Sequence, residues 1–377
     1  MKRIAVVGGG PGGLTACYKI KEEHPDYQVV LFEKDEMIGK RIKVSGNGRC
    51  NLLNININQN DYYNGEKINY ILSYFNKYQN KFFSELNLHL YHDDEGRMYP
   101  ITNSSKTVIN AFINALNRKG VVIKLNEKFI SLNKNNDKYL LITSCDKYIF
   151  DKVIFATGGA SYLYKKEDYE NIIKSLPYKI NYEELSGVLC PIKVKEKINK
   201  ACVGKRSKAK IYLYLNNDLI YEESGEILFK KDGISGIVIF NISRYIDYKK
   251  ANLYSIKINF IDGIKKNDID KELSLYSKKE VISSYVVDEI ADLILSYYNN
   301  VYQGLSSFIL HVDSLYSLNE SQVTRGGILI EELNNDLSLK KDENIYFLGE
   351  MIDVDGKCGG YNIYFALASG YFVGSKI

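Results

Sequence analysis

The chain has 377 residues, 45% hydrophobic and 25% charged, with 50 Lys and Arg against 46 Asp and Glu. That is the composition of a globular chain of two or three domains. No apolar run reaches membrane-spanning length, no signal peptide is expected ahead of the first strand, and a net charge of +4 argues against a nucleic-acid partner. The six cysteines (Cys17, Cys50, Cys145, Cys190, Cys202 and Cys358) form no C-x-x-C pair, so a cytoplasmic protein with reduced thiols and no metal site is expected.

The first forty residues carry the strongest signal. An apolar run, Ile4 to Val7, stops at Gly8. Gly8-x-Gly10-x-x-Gly13 follows, with Gly12 in the same turn, and Leu14 to Ile20 has helical spacing. A second apolar run, Val29 to Phe32, ends on Glu33. Strand, glycine turn, helix, strand and acid make a dinucleotide-binding βαβ unit. Gly8 permits the sharp turn, Gly10 lets backbone approach a pyrophosphate, and Gly13 lets helix and strand pack closely. The helix start offers free N–H groups and a positive dipole end to phosphate. Glu33 suits ribose hydroxyls and repels a 2′-phosphate, which selects FAD or NAD over NADP as the resident nucleotide.

The stretch Gly39 to Asn54 is rich in Gly, Asn and basic residues and reads as a cofactor-binding loop. Ser45, Gly46, Asn47 and Gly48 can present successive N–H groups. Arg49 can meet a phosphate or a flavin carbonyl, and Asn51 can bridge both. Cys50 lies beside them and reads as a small packing residue. Amphipathic helices are predicted over about 67–89 and from Ser104 or Ser105 to Gly120. Four strands follow within 121–150. A buried strand, Val153 to Ala156, then opens onto Thr157, Gly158 and Gly159, where small residues allow close passage of a cofactor. At this distance from the βαβ unit, that tilts the choice from NAD to FAD.

From Leu189 to Val323 short alternating strands surround Gly233-Ile234-Ser235-Gly236, and one helical stretch spans Val281 to Tyr297. The predicted organisation is an FAD-binding domain of residues 1–188 and 324–377. A mostly-β, barrel-like insert with a small helical part, 189–323, is expected to roof the flavin. At the end of the chain a strand, Ile345 to Leu348, leads to Gly349 and Glu350, then Asp353, Gly359, Gly360, Tyr361 and Asn362, and an apolar helix from Ile363. The carboxylates suit ribityl or ribose hydroxyls, and the helix start suits the flavin N1–C2=O edge.

These stretches together resemble one family. GKRIKVSGNGRCNLLN, EGRMYP, ATGG, GEILFKKDGISG, QVTRGGI and GEMIDVDGKCGGYN are similar to the BaiN/YhiN-like flavoproteins, from Met1 to Ile377. That family is described as NAD(P)/FAD-dependent oxidoreductases, some assigned as bile-acid-pathway enone reductases and others as aminoacetone oxidases. The resemblance implies a discontinuous Rossmann-like α/β FAD domain with an inserted β-barrel and a small helical subdomain. It also implies flavin contacts at Gly8, Gly10, Gly13, Glu33, Lys34, Arg41, Arg49, Gly349, Asp353, Gly360 and Asn362. Two departures stand out. After Ala156, Thr157, Gly158 and Gly159 the family's Gly-rich turn is replaced by Ala160-Ser161-Tyr162-Leu163-Tyr164 and the charged 165–168. The family's GISGP also lacks its Pro, with Ile237 in that place.

The expected activity is hydride transfer through flavin N5 from NAD(P)H to a small enone-like acceptor, with FAD held noncovalently. The chain carries no second complete G-x-G-x-x-G, so NAD(P)H is a transient donor. An O2-using amine oxidase, a nucleic-acid-modifying flavoprotein and a flavin binder without turnover are the alternatives. No residue is assigned as catalytic acid or base.

Overall fold

The structure is a computed structural model that describes residues 1–162 and 164–377. Leu163, within the departure at 160–168, lies outside the described residues. In chain order, β1 (Arg3–Val7), α1 (Pro11–Glu23) and β2 (Gln28–Phe32) form the βαβ start. The long amphipathic helix α2 (Gly65–Glu85) follows, then β3 (Val122–Lys124) and β4 (Lys152–Phe155). Six strands come next: β5 (Ile192–Val194), β6 (Arg206–Leu215), β7 (Asp218–Lys230), β8 (Gly233–Ser235), β9 (Tyr254–Asn259) and β10 (Phe308–Leu315). The chain ends with β11 (Ser338–Leu339), β12 (Asp342–Phe347) and α3 (Tyr361–Gly374).

Two compact units result, one of residues 1–185 and 323–377, the other of residues 186–322. The first is built on a six-stranded sheet of order β11-β12-β4-β1-β2-β3. It is parallel except for the β11–β12 pair, with Val7 beside both Phe32 and Phe155. Near-continuous apolar strands such as Ile4–Val7 and Val29–Phe32 suit a parallel sheet buried on both faces. The parallel order puts the carboxyl ends of β1, β2, β4 and β12 along one edge, where open α/β sheets bind ligands.

Helix α3 is apolar all round and buried along nearly its whole length. It packs on α1 through small residues. A Cβ on Gly370 would stand 2.2 Å from the Gly12 carbonyl oxygen, and one on Gly374 would meet Lys19 and the Ala16 carbonyl. Both helices run in the same sense along this contact, so their N-terminal ends lie on one side.

In the second unit β5-β8-β7-β6-β9-β10 close into an antiparallel barrel. Its core includes Ile211, Leu213, Ile227, Phe229, Ile256 and Leu310. Short helices at Lys266–Leu273, Lys278–Ser283, Asp288–Tyr297 and Val301–Ser306 complete the unit. The single helical stretch read from Val281 to Tyr297 is therefore two helices, parted at Ser284–Val287. A capping box of Ser277 and Glu280 fixes the start of the first. Among the short strands expected here, β7 is long and runs on to Lys230, because its pairing with β6 continues through the polar Glu222–Glu226 segment. Ser104 occupies the cap position of the helix Ser105–Arg118 without a side-chain cap bond, while Ser105 Oγ donates to the Lys43 carbonyl. Among the described residues, no helix is long and apolar enough to cross a membrane.

Candidate functional site

The glycine turn after β1 is locked from behind. Gly8 N–H donates to the Phe32 carbonyl at 2.8 Å, and its backbone has φ +110°. A Cβ there would lie 2.4 Å from the Ala156 carbonyl oxygen, and one on Gly13 would lie 2.0 Å from the Gly8 carbonyl oxygen. Gly10 differs. It has an ordinary φ of −81°, caps α1, and a Cβ on it would meet nothing nearer than 4.0 Å. The open side at Gly10, ahead of the unpaired N–H groups of the first helical turn, fits an anionic group.

Glu33, at the end of β2, is buried. Its carboxylate accepts from Gly9 N–H at 2.8 Å and from Asp35 N–H at 2.9 Å. Burial pushes its pKa up, the two N–H groups act against that, and the Asp35 charge adds to the rise. One acid thus ties the glycine turn to the β2 exit.

Lys34 pairs with Asp168 at 2.9 Å, and the Arg41 guanidinium donates to the Ser161 carbonyl at 2.6 Å and to Ser161 Oγ at 2.8 Å. Both cations also lie against the Tyr164 ring, at 4.7 and 5.1 Å. The segment that departs from the family pattern thus gathers two residues the resemblance assigns to the cofactor.

In the loop after Arg41, Ser45–Gly48 forms a short tight helix with Gly46, Asn47 and Gly48 at positive φ. Arg49 is exposed, with its guanidinium 4.8 Å from the Tyr99 ring. Cys50 is buried, and burial pushes its thiol up to about 12, which leaves it protonated and inert at neutral pH. The Asn51 side-chain carbonyl is buried without a hydrogen-bond partner, and a Cβ on Gly360 would come 2.9 Å from it. Asn51 therefore sits against the cap of α3. The same imagined Cβ would lie 2.6 Å from the Leu53 carbonyl, so glycine is required at Gly360, which has φ +105°.

Beside β1, Ala156 N–H pairs with the Val7 carbonyl, and Thr157 and Gly158 follow at the end of β4. A Cβ on Gly158 would meet open space. Gly349 N–H donates to Ser369 Oγ at 3.0 Å. Glu350 accepts from Thr324 N–H at 2.7 Å and from Ser161 Oγ at 3.3 Å. Asp353 is buried and accepts from Gly326 N–H at 3.0 Å. Burial raises its pKa to about 6; Gly326 N–H opposes, Asp355 adds, and Arg325 opposes. Asn362 spends its side-chain amide within the loop, accepting from Gly356 N–H and donating to the Gly356 carbonyl. Tyr361 offers its carbonyl to the Tyr62 hydroxyl at 2.9 Å. Gly359 and Gly360, both at positive φ, deliver the chain into α3.

Sequence reasoning passed over four residues that hold this end together. Thr324 Oγ1 accepts from Ala160 N–H at 2.8 Å. Arg325 makes a two-pronged pair with the buried Asp355, at 2.7 and 3.0 Å, while its guanidinium covers the Tyr63 ring at 4.4 Å. Asn64 donates to the Asp353 carbonyl at 2.8 Å. The QVTRGGI stretch was the available signal for Thr324 and Arg325. Nothing local marked Tyr63 or Asn64.

The HI0933-like protein Rossmann domain family matches residues 2–376. The chain belongs to that family. It is 25% identical to a 3-dehydro-bile acid delta(4,6)-reductase of Clostridium scindens, over 99% of this chain and 98% of that one. It is 21% identical to a ribosomal RNA dihydrouridine synthase of Escherichia coli, over 97% and 95%. Its fold is that of a 3-ketosteroid delta1-dehydrogenase from Sterolibacterium denitrificans, with a TM-score of 0.56 at 10% identity over 100% of this chain and 99% of that one. Family membership together with the nucleotide fold makes the chain an FAD-dependent oxidoreductase. The residues fit that cofactor. The open faces at Gly10 and Gly158 leave room for it, and the orphaned Asn51 carbonyl awaits a donor such as a flavin N–H or a ribityl hydroxyl.

Proposed function

We propose that the protein takes electrons from NAD(P)H and reduces a carbon–carbon double bond conjugated to a carbonyl, with a small enone as acceptor. The observation that supports the flavin part of this reading is the pairing of two glycine-capped helix starts, α1 and α3, that run in the same sense along their contact, while the acceptor class rests on the relatives' names. When bound, FAD supplies a hydride from its N5 position. The chain's residues do the rest. Gly10 and the first turn of α1 receive the pyrophosphate, and Glu33 holds the adenosine ribose. Lys34, Arg41, Ser45, Gly46, Gly48 and Arg49 supply donors along the cofactor, and Gly12 keeps α1 close to α3. Glu350, at the end of β12, receives ribityl hydroxyls, with Thr157 and Gly349 keeping the backbone close. The start of α3, at Gly359–Asn362, would hold the pyrimidine edge of a bound flavin, and its dipole would favour negative charge there.

The relatives' names support the acceptor class. A delta(4,6)-reductase of a 3-dehydro-bile acid acts on double bonds in conjugation with a ketone. Dihydrouridine forms by saturating the uracil C5–C6 bond, which is conjugated to the C4 carbonyl. A second reading, with uracil in RNA as the acceptor, follows from the relatives named as ribosomal RNA dihydrouridine synthases. In either case the six unbridged cysteines suit a reducing, cytoplasmic setting.

The test is an anaerobic titration of the FAD-loaded protein with NADH and NADPH, followed by a 4,6-dien-3-one steroid or unmodified ribosomal RNA. Bleaching by a nicotinamide and recovery of flavin absorbance on adding the steroid are expected. Recovery with RNA alone would move the acceptor to uracil. No bleaching by either nucleotide, with bleaching by a small amine, would replace the reading by an amine oxidase.

A further inference from the structure

Strand β6 has a cationic-to-aromatic stripe that the nucleotide chemistry does not use. Its residues alternate strictly. Ala209, Ile211 and Leu213 point into the barrel core. Arg206, Lys208, Lys210, Tyr212 and Tyr214 occupy the outward positions. Outward side chains on a strand recur about every 6.6 Å, twice the rise per residue. The stripe is thus a straight row of three cations and two phenol rings. On the neighbouring β9, Lys257 stands opposite Tyr212 and Asn259 opposite Lys210. The Lys257 ammonium lies 4.2 Å from the Tyr212 ring centre and 5.6 Å from that of Tyr214, and Lys210 lies 5.2 Å from Tyr212 on its own strand.

Charge in this unit is segregated along the chain. Residues 186–257 carry fourteen Lys and Arg against seven Asp and Glu, whereas residues 258–322 carry five against ten. Two cations of the stripe are partly neutralised, Arg206 by Glu226 at 2.6 Å and Lys210 by Glu222 at 3.1 Å. On β7, Glu226 stands opposite Lys208 and Glu222 opposite Tyr212, while among the described residues no ion pair joins Lys208 or Lys257 to a carboxylate. Cross-strand Lys–Tyr pairs alone would stabilise a sheet modestly. They do not call for five successive outward positions without a single acid or aliphatic residue.

We propose that this outward face of β6 and β9 binds single-stranded RNA. Tyr212 and Tyr214 offer stacking faces to bases, and Lys208, Lys210 and Lys257 meet phosphates. Aromatic rings set in line with cations are what sequence-tolerant single-strand binding requires. A membrane surface would call for aliphatic anchors within the row, and the row has none; the exposed Leu219 and Ile309 stand singly beside it, opposite Tyr214 and Lys257. Lys257 lies on the ring face a base would take, and its flexible stem can leave that face for a phosphate by a rotamer change. The proposal serves the RNA-acceptor reading above, and RNA binding is measured without turnover.

The experiment follows fluorescence anisotropy of a short labelled single-stranded oligoribonucleotide with the full-length, FAD-loaded protein, from low to physiological salt. Wild type should bind with a steep salt dependence. Lys208→Ala with Lys257→Ala should reduce the log–log salt slope by about 1.4, at roughly 0.7 per phosphate contact on a single strand. Tyr212→Ser with Tyr214→Ser should weaken binding by roughly thirtyfold or more, while Tyr212→Phe with Tyr214→Phe keeps it. Unchanged flavin content and melting temperature in each variant show that the barrel is intact. Absence of binding by wild type at low salt, or equal binding by wild type and both disruptive variants, would overturn the proposal. So would tighter binding to vesicles of anionic phospholipid than to RNA. Loss of the RNA site leaves steroid reduction standing, and failure of steroid reduction leaves RNA binding standing, so the two conclusions fail separately.

Discussion

The two glycine-capped helix starts of the first unit use glycine in opposite ways. At α1 the flanking glycines, Gly8 and Gly13, are walled in by backbone, while Gly10 between them faces open space. At α3 the cap itself, Gly360, is walled in by Leu53 and Asn51. One start thus holds its room at the cap, and the other gives it up to a loop that brings a buried side-chain carbonyl. The lesson is that glycine in a nucleotide fingerprint serves two separable purposes. Some positions keep the chain folded, and one keeps it receptive.

Substitutions can pull the two purposes apart. The largest effect is expected at the crossing of α1 and α3. Gly370→Ala drives a Cβ into the Gly12 carbonyl and should destabilise the chain by about 3 kcal/mol, at or beyond the upper end of overpacking, read by urea unfolding. Gly10→Ala should leave the melting temperature of the apo-protein unchanged and weaken FAD binding at least tenfold, read by flavin fluorescence titration. An equal loss of stability in both variants would erase the distinction drawn between the two kinds of glycine.

Glu33→Gln keeps an acceptor for one of its two N–H donors and removes the charge. It should weaken FAD several-fold while leaving FMN, which lacks the adenosine ribose, bound as in wild type. The smallest effect is a pH signature at Asp353. Its folded pKa, about 6, stands above its ordinary 3.8. The folded state therefore holds this proton where the unfolded state has released it, and the stability of the apo-protein falls as pH rises from about 4 to 6. Asp353→Asn should remove that part of the pH dependence, measured by urea unfolding at stepped pH. A wild-type advantage over the variant that grew between pH 4 and 6 would contradict the sign.

How much of this was legible in the sequence depended on distance along the chain. The βαβ start was readable because turn, helix and acid lie within 33 residues and each follows from local chemistry. The start of α3 was readable for the same reason. The orphaned carbonyl of Asn51 against Gly360 and the grip of Ser161 on Arg41 join residues far apart. No local pattern announces such contacts. The barrel shows the same limit: alternation in β6 was visible, yet the length of β7 follows from its pairing with β6. The break at Ser284–Val287 was hidden because apolar spacing runs through it.

The most direct measurement is the identity and amount of flavin released from the purified wild-type protein by denaturation. One FAD per chain is predicted, with Gly10→Ala folded but depleted of it. FMN in its place, or a folded wild-type chain that takes up no FAD, would contradict the account.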